Sequence, residues 1–569
     1  MLFRSLHSIQ QDQLLDSLSP NQQNNLLQDI LSFEKTYRGG IETYVNNVRR
    51  LVKEPESSME VVSMEVPTGK DLVVGSSEYT SFEHLGREEL PYCCFAIVGG
   101  GMGERLNSSK PKLCLESNLI TGQSFLGLYC SYFHAIEQEF NCVIPVAIMT
   151  SHATNDPIQR ELETNHYYGL DPSQVTLMLQ VEVPSVLDAS GTIALASDGH
   201  LLRKPHGHGD IHTLLYSYGL PQRWKQANKR HILFMQDTNV LAIYGFPSLL
   251  GVSVSSHLDF ASLGIVRKPG EKVGSICRLQ DASGRRLTCN VEYCDFERLL
   301  VALTGVGDEP NENGNSRFPG NINVLYANIA SYLETLTDTH GDVPEFINPK
   351  YADETRTSFK TPARLECMMQ DFPRHMPQKA RIGYCCLPRW ACFSPVKRDA
   401  DSAIAEARKT GYGESFFSME EDFYKLFRRA LRDESMTLGD TSWDEAVTPA
   451  DGVPSLPIVL LTPFAALSLS EMRSHFTDSF QMSERSVLVL DGPHITIENS
   501  TLDGALEVHA CRDAHVFIRD AHFQNDGWEM RRDPDGAFRR LPYLISFISR
   551  FSLIKKDTTV LTFPKPGTY

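Results

Sequence analysis

Apolar residues recur at helical spacing from Leu14 to about Lys53. Leu14, Leu15 and Leu18 come first, then Leu26, Leu27, Ile30 and Leu31, and after Gly39-Gly40 a third set of Ile41, Val45 and Val48. Steps of three and four residues line one face of an α-helix. Ser19-Pro20 and the glycine pair interrupt the run, so two or three amphipathic helices are expected. Residues 54–89 are weakly patterned and acidic and read as a connector, which closes an N-terminal region of residues 1–90. The texture then changes. Cys94-Phe95-Ala96-Ile97-Val98 is a short apolar run stopped by glycines, and similar runs recur at 143–149, 175–181, 232–235 and 261–266. Helical patterns lie between some of them, at 124–139 and 211–225. Short buried strands alternating with helices predict an α/β domain with a largely parallel sheet over residues 91–399. Residues 400–453 read as a linker with a charged helix around 423–431. Beyond Pro454 the texture is β, with short strands at 458–461, 487–490, 495–497, 506–508 and 516–518 and turns at Asp491-Gly492-Pro493 and Asp503-Gly504. Short strands at short intervals predict a small β-helix-like coil over residues 454–569, with a plain antiparallel sheet as the alternative.

Composition narrows the classes. A chain of 569 residues has room for two to four domains at roughly 100–200 residues each. Hydrophobic residues at 41% and charged residues at 22% are ordinary for a folded chain. Lys plus Arg total 54 against 71 Asp plus Glu, a formal charge of −17. That balance disfavours a nucleic-acid or membrane-surface binder, whose affinity comes from phosphate neutralisation, but allows a local basic site for a small anion. The 13 cysteines are odd in number; several sit in apolar runs, and none has zinc-site spacing. They read as reduced thiols. No window approaches the roughly 18 uninterrupted apolar residues of a membrane span, and the first residues lack the apolar stretch of a signal peptide. A cytoplasmic, monomeric protein is expected, with neither nucleic acid nor membrane as partner.

Three stretches carry the chemistry. Gly99-Gly100-Gly101-Met102-Gly103-Glu104-Arg105-Leu106, followed by Lys110-Pro111-Lys112, leaves the first strand of the α/β domain, where open sheets bind ligands. Glycines let backbone N–H groups approach phosphate oxygens; Arg105 offers a planar fork and Lys112 a compact charge. The spacing fits neither a P-loop, nor a dinucleotide fingerprint, nor a kinase glycine loop. Lys204-Pro205-His206-Gly207-His208-Gly209-Asp210 precedes a helix and suits an anion at its N-terminus; metal ligation by the two histidines and a simple capped turn are alternatives. Ile232-Leu233-Phe234-Met235-Gln236-Asp237 is a buried strand ending in an acid placed to hold Mg²⁺, with an N-cap for the next helix as alternative. Asn290-Val291-Glu292-Tyr293, Phe318-Pro319-Gly320-Asn321-Ile322-Asn323 and Ser394-Pro395-Val396-Lys397 are polar stretches whose amides and carboxylate suit sugar hydroxyls, with ordinary loop chemistry as the alternative for each.

In combination these motifs resemble the UTP-dependent sugar-1-phosphate uridylyltransferases, and among them the UDP-sugar pyrophosphorylase family. Besides the stretches above, Glu345-Phe346-Ile347-Asn348-Pro349-Lys350-Tyr351 and Arg364-Leu365-Glu366-Cys367-Met368-Met369-Gln370-Asp371 are similar to the family's and stand in its order. The chain departs from it with Gly99 where alanine is usual, Asn107 where glycine is usual, and a Lys110-Pro111-Lys112 nearer the wider nucleotidyltransferase pattern. The resemblance implies a Rossmann-like nucleotidyltransferase core between a helical N-terminal region and a small C-terminal β-helix. It implies reversible conversion of UTP and a sugar 1-phosphate into UDP-sugar and pyrophosphate, over a broad range of sugars and with Mg²⁺ (or Mn²⁺). A narrow UDP-glucose or UDP-N-acetylhexosamine enzyme and a non-catalytic sugar-nucleotide sensor are the alternatives. The roles it implies are a backbone platform at Gly100 and Gly101, a phosphate clamp of Arg105 and Lys112, uracil reading by Gln180 and Gly207, and His208 beside the phosphates. Asp237 would be the metal acid, Glu292 and Asn321 the sugar contacts, and Lys397 a cation bridging the two substrates' phosphates.

Overall fold

The computed structural model describes residues 2–53, 60–106, 108–432, 436–438, 457–477, 479–532 and 551–569. Its centre is a large sheet whose strands lie in the spatial order Thr68–Asp71, Ile382–Leu387, Phe260–Ile265, Gly320–Asn328, His231–Gln236, Cys93–Val98, Val146–Thr150 and Val175–Leu179. All neighbours on this path are parallel except Gly320–Asn328, which runs antiparallel to both of its partners. The apolar runs are legible as strands because both faces are covered. Phe95 and Ile97 enter one buried cluster and Cys94 and Ala96 another, as a side-chain period of two requires. The helices Phe125–Phe140 and Ala242–Ser255 cover the first face; Asp210–Ser217 and Leu220–Gln226 cover the second. The antiparallel hairpin Ser275–Asp281 with Arg286–Val291 joins the sheet through Ser275 opposite Gly320.

The N-terminal segment is helical: Leu2–Ser8, Leu14–Ser17, Pro20–Thr36 and Gly40–Lys53. Ser19 and Gln22 close a capping box at the start of the third. These helices share a core with Val183, Val186, Phe359 and Leu365. Residues 60–89 of the stretch expected to be a connector are structured instead, and 54–59 lie outside the described residues. Val61–Glu65 pairs with Ser275–Asp281, Thr68–Asp71 closes the sheet edge, and Ser77–Glu89 lies against Ala242–Ser255. A Cβ on Gly86 would come within 1.7 Å of the Pro247 carbonyl oxygen, and one on Gly251 within 1.8 Å of that of Phe82, so the two helices meet backbone to backbone. Contact of that kind leaves little apolar periodicity to read.

The stretch expected to be a linker also differs. Ala400–Thr410 is a surface helix, but Phe416–Leu431 is buried along nearly its whole length, including Glu420, Glu421, Lys425 and Arg428. Its charge pattern hides a core element: Glu420 accepts from Leu119 N–H at 2.7 Å and Tyr424 O–H at 2.6 Å, and Arg428 donates to the Pro457 carbonyl. Residues 439–453 of the expected linker and its boundary at 454 lie outside the described residues. Beyond them, three parallel ladders recur. Ile458–Leu461, Val487–Asp491, Ala505–Ala510 and Thr559–Phe563 form one; Met436–Leu438, Phe480–Met482, Ser500–Asp503 and His522–Gln524 the second; Ile495–Glu498, Ala514–Arg519 and Gly567–Thr568 the third. One antiparallel pair, Trp528–Arg532 with Phe551–Lys555, accompanies them. Among the described residues no helix is long and apolar enough to cross a membrane.

Candidate functional site

At the carboxyl end of Cys93–Val98 the glycine loop folds back on itself. Lys112 N–H donates to the Gly101 carbonyl at 3.0 Å and Gly103 N–H to the Lys110 carbonyl at 2.9 Å, with Met102 bridged to Pro111. This return brings Lys112 over Gly101. A Cβ on Gly101 would lie 2.9 Å from Asp237 Oδ2 and 3.4 Å from Lys112 Cδ; one on Gly100 would lie 2.7 Å from Gln180 Nε2. Glycine is therefore required here by close approach rather than by backbone angle. Gln180 ends Val175–Leu179 and is buried, its N–H donating to the Thr150 carbonyl at 2.8 Å. Gly100, Gly101, Lys112, Gln180 and Asp237, which follow the parallel strands Cys93–Val98, Val175–Leu179 and His231–Gln236, thus converge on one point at the carboxyl end of the sheet.

Asp237 does not cap the following helix, whose N-cap is Leu241 with no side-chain bond. Its Oδ1 accepts weakly from Thr238 Oγ1 at 3.3 Å and lies 3.9 Å from Lys112 Nζ. Burial pushes its pKa up, against the opposing pull of Lys112 and Thr238. A partly buried carboxylate compensated by a single distant ammonium is short of positive charge.

Next to Gln180, His206 N–H donates to the Val181 carbonyl, and Glu182–Pro184 pairs with Arg203–Pro205. Gly207, at φ +139°, could carry no Cβ: it would lie 2.3 Å from the Cys367 carbonyl oxygen. His208 Nδ1 accepts from Met369 N–H at 3.1 Å, and burial lowers its pKa to about 4. It is neutral at pH 7 and its proton sits on Nε2. His206 faces away from that role. Its Nδ1 is 2.7 Å from Asp210 and its Nε2 3.0 Å from Glu345. Burial opposes its charge, but Cys367 and Asp210 more than offset that and hold its pKa well above the usual range. Tyr37 and Asn47 of the N-terminal helices also donate to Glu345. The sequence stretches around His206, Glu345 and Cys367 are thus one buried cluster that anchors the Gly207–His208 turn.

Glu292 follows the hairpin strand Arg286–Val291, and Asn321 lies on Gly320–Asn328 of the central sheet. Asn290 Nδ2 donates to Glu292 Oε1 at 2.6 Å, and burial raises the Glu292 pKa, with Lys397 pulling the other way. Asn321 is buried, donates to Asn323 Oδ1 at 2.9 Å and receives the register shift between Leu263 and Gly264; such bulges re-aim side chains near sites.

Two expected residues stand apart. Arg105 is exposed on the turn Glu104–Leu106 and has no hydrogen-bond or ion-pair partner among the described residues. Lys397 Nζ is 3.2 Å from Glu414 Oε1, a carboxylate that also faces Arg389 and Arg398. Its backbone is nevertheless tied to the metal-acid turn: Thr238 Oγ1 donates to the Val396 carbonyl at 3.1 Å and Val396 N–H to that of Thr238 at 3.2 Å. Asn107 lies outside the described residues. Sequence reasoning missed Thr238, Met369 and Glu414. Thr238 acts through its hydroxyl and carbonyl, Met369 through its backbone N–H, and Glu414 from a left-handed position at φ 54°, none of which a motif marks.

The architecture is similar to solved nucleotide-sugar enzymes. The UDP-N-acetylglucosamine pyrophosphorylase from Trypanosoma brucei aligns with a TM-score of 0.61 at 17% identity, covering 83% of this chain and 92% of its own. The class is therefore a mixed α/β nucleotidyltransferase-type fold with a parallel-dominated sheet. The sequence model of UTP--glucose-1-phosphate uridylyltransferase matches residues 41–441, and the chain belongs to that family. Curated relatives include a UDP-sugar pyrophosphorylase of Oryza sativa subsp. indica, 36% identical over 90% of this chain and 85% of the relative. One of Arabidopsis thaliana is 34% identical over 88% and 83%.

Proposed function

We propose that this chain transfers the uridylyl group of UTP to sugar 1-phosphates, releasing pyrophosphate reversibly, with a broad sugar range that includes glucose 1-phosphate and galactose 1-phosphate. The observation that carries the reading is the convergence of Gly100, Gly101, Lys112, Gln180 and Asp237 at the strand ends. The kinship to UDP-sugar pyrophosphorylases along most of the chain agrees with it.

In this reading Gln180, with both amide donor and acceptor, reads the uracil edge together with backbone at Gly207. The glycine backbone approaches the nucleotide, and neutral His208 donates its Nε2–H to a phosphate oxygen. Arg105 and Lys112 collect the β- and γ-phosphates. Glu292 and Asn321 take sugar hydroxyls. A phosphate oxygen of the sugar 1-phosphate attacks the α-phosphorus of UTP; that P–O bond forms as the bond to the β-phosphate bridging oxygen breaks, and pyrophosphate leaves with its electron pair. The attacking oxygen is already anionic, so no general base is required. The chain's task is to hold repelling anions in line and to stabilise the charge that grows on the leaving group. Asp237, partly buried and under-compensated, fits Mg²⁺ as its acid ligand; the ion would supply charge neutralisation across the phosphates. The N-terminal helices and the C-terminal ladders we read as a helical region and a short β-helix flanking the catalytic core.

The test is pyrophosphate release from UTP with a panel of sugar 1-phosphates, run across a Mg²⁺ titration for the wild type and Asp237→Asn. Turnover of both the glucose and galactose substrates within about two orders of magnitude is expected, since one misplaced hydroxyl costs about 1–3 kcal/mol. Asp237→Asn should need more Mg²⁺ while keeping its thermal midpoint. An inert galactose 1-phosphate would move the assignment to a narrow glucose enzyme. No turnover with any sugar would leave the sensor reading, and an unchanged Mg²⁺ requirement would remove Asp237 from the metal.

A further inference from the structure

A cavity of about 420 Å³ opens where the tip of the hairpin Ser275–Asp281/Arg286–Val291 meets the turn Met369–His375 and the lead into Ile382–Leu387. Five arginines line it, Arg278, Arg285, Arg286, Arg374 and Arg381, and among the described residues no acidic side chain does. In a chain of net charge −17 such an unbalanced cluster stands against the overall composition.

The five are unequally engaged. Arg278 donates to Thr68 Oγ1 at 2.8 Å, and Arg374 Nε to Asp371 Oδ1 at 2.8 Å. The guanidinium groups of Arg285, Arg286 and Arg381 have no hydrogen-bond or ion-pair partner among the described residues. Their surroundings use backbone instead. Asp281 accepts from the Ser283 and Arg285 N–H groups, Gln378 from Arg286 N–H, and Asp259 from Arg381 N–H. Guanidinium groups with no hydrogen bond or close ion pair therefore come from two elements, Arg285 and Arg286 at the hairpin tip, where the Asp281 carboxylate offsets part of the Arg285 charge, and Arg381 just ahead of Ile382–Leu387. Like charges gathered in one concavity repel one another, and a polyanion relieves that repulsion while matching the planar forks with oxygen pairs. The volume falls in the range of small-molecule sites. The cavity shares no lining residue with the Lys112–Asp237 cleft, whereas Glu292 lies at the far end of the same hairpin, just beyond Val291.

We propose that this cavity is a second ligand site, for a small soluble polyanion carrying two separated phosphate groups. It goes beyond the transferase reading and does not depend on it.

The experiment is isothermal titration of the full chain with fructose 1,6-bisphosphate as probe at physiological ionic strength. The wild type, Arg286→Ala/Arg381→Ala, Arg285→Ala and Lys112→Ala are compared. Saturable binding at one site is expected, kept in Lys112→Ala and weakened at least about tenfold in both arginine variants, the scale of one charge-assisted contact. All three arginines are exposed, so folding should persist, with circular dichroism as the check. Absence of saturable binding, or undiminished binding in the arginine variants, would overturn the proposal. So would loss of binding in Lys112→Ala, which would put the ligand in the nucleotide cleft.

Discussion

Lys397, expected at the substrates' phosphates, is paired instead with Glu414. The ammonium lies 3.2 Å from the Glu414 carboxylate, nearly half exposed, and Glu414 is shared with Arg389 and Arg398. An exposed ion pair of this kind contributes about 0–1 kcal/mol, far less than a phosphate in a preorganised site. If Lys397 serves the phosphates as proposed, substrate can draw it from this weak pair. Lys397→Ala should lower turnover by roughly 10²-fold or more, as for the loss of one preorganised charge contact. Glu414→Gln, which removes the competitor and keeps the shape, should change turnover by less than about tenfold. Near-normal turnover in a folded Lys397→Ala protein would remove the residue from the phosphates. At this scale the sequence reveals residue types well: Gly100, Gly101, Lys112, Gln180 and Asp237 are brought together. It reveals nothing of partners that act through backbone, such as Met369 on His208 or Val396 on Thr238.

At the scale of elements, legibility follows burial on both faces. Cys93–Val98, His231–Gln236 and Phe260–Ile265 announce themselves as apolar runs. Gly320–Asn328 does not, because glycine and three asparagines occupy a strand that carries a register shift. Phe416–Leu431 was hidden by its charges, and those charges are testable. Burial pushes the Glu420 carboxyl up to about 7, against the donors Leu119 N–H and Tyr424 O–H. The folded state therefore holds this proton more tightly than the unfolded chain, whose glutamate titrates near 4.3. The resulting stability is full below about pH 4.3 and is lost as the pH rises through about 7. Glu420→Gln lacks that dependence while its amide oxygen still accepts both donors. Thermal midpoints from pH 5 to pH 8 should show the variant gaining on the wild type by on the order of 3 kcal/mol across the window. Parallel curves would mean that Glu420 titrates normally.

At the scale of the molecule, the C-terminal ladders are part of the same core as the central sheet. Ile458, Leu460, Leu488 and Val508 belong to the buried cluster that contains Phe95, Phe133 and Tyr244. Polar contacts join the two regions as well. Glu83, buried, accepts from Leu469 N–H at 2.9 Å and Ser470 N–H at 3.1 Å, Tyr132 O–H donates to the Leu467 carbonyl at 3.3 Å, and Arg87 pairs with both Glu139 and Glu471. From the sequence alone, a region without candidate catalytic residues invites removal. The shared core argues the reverse, because removal would expose apolar surface on the sheet-covering helices and leave the Glu83 carboxylate buried without its backbone donors. A chain of residues 1–456 should therefore aggregate or lose its cooperative thermal transition. In the full-length protein, Glu83→Ala should lower stability by about 1–3 kcal/mol or more through the orphaned Leu469 and Ser470 N–H groups and Tyr79 O–H, with turnover per folded molecule unchanged. A monodisperse 1–456 chain with the wild-type midpoint would show that the two regions fold independently and that their shared core contributes little.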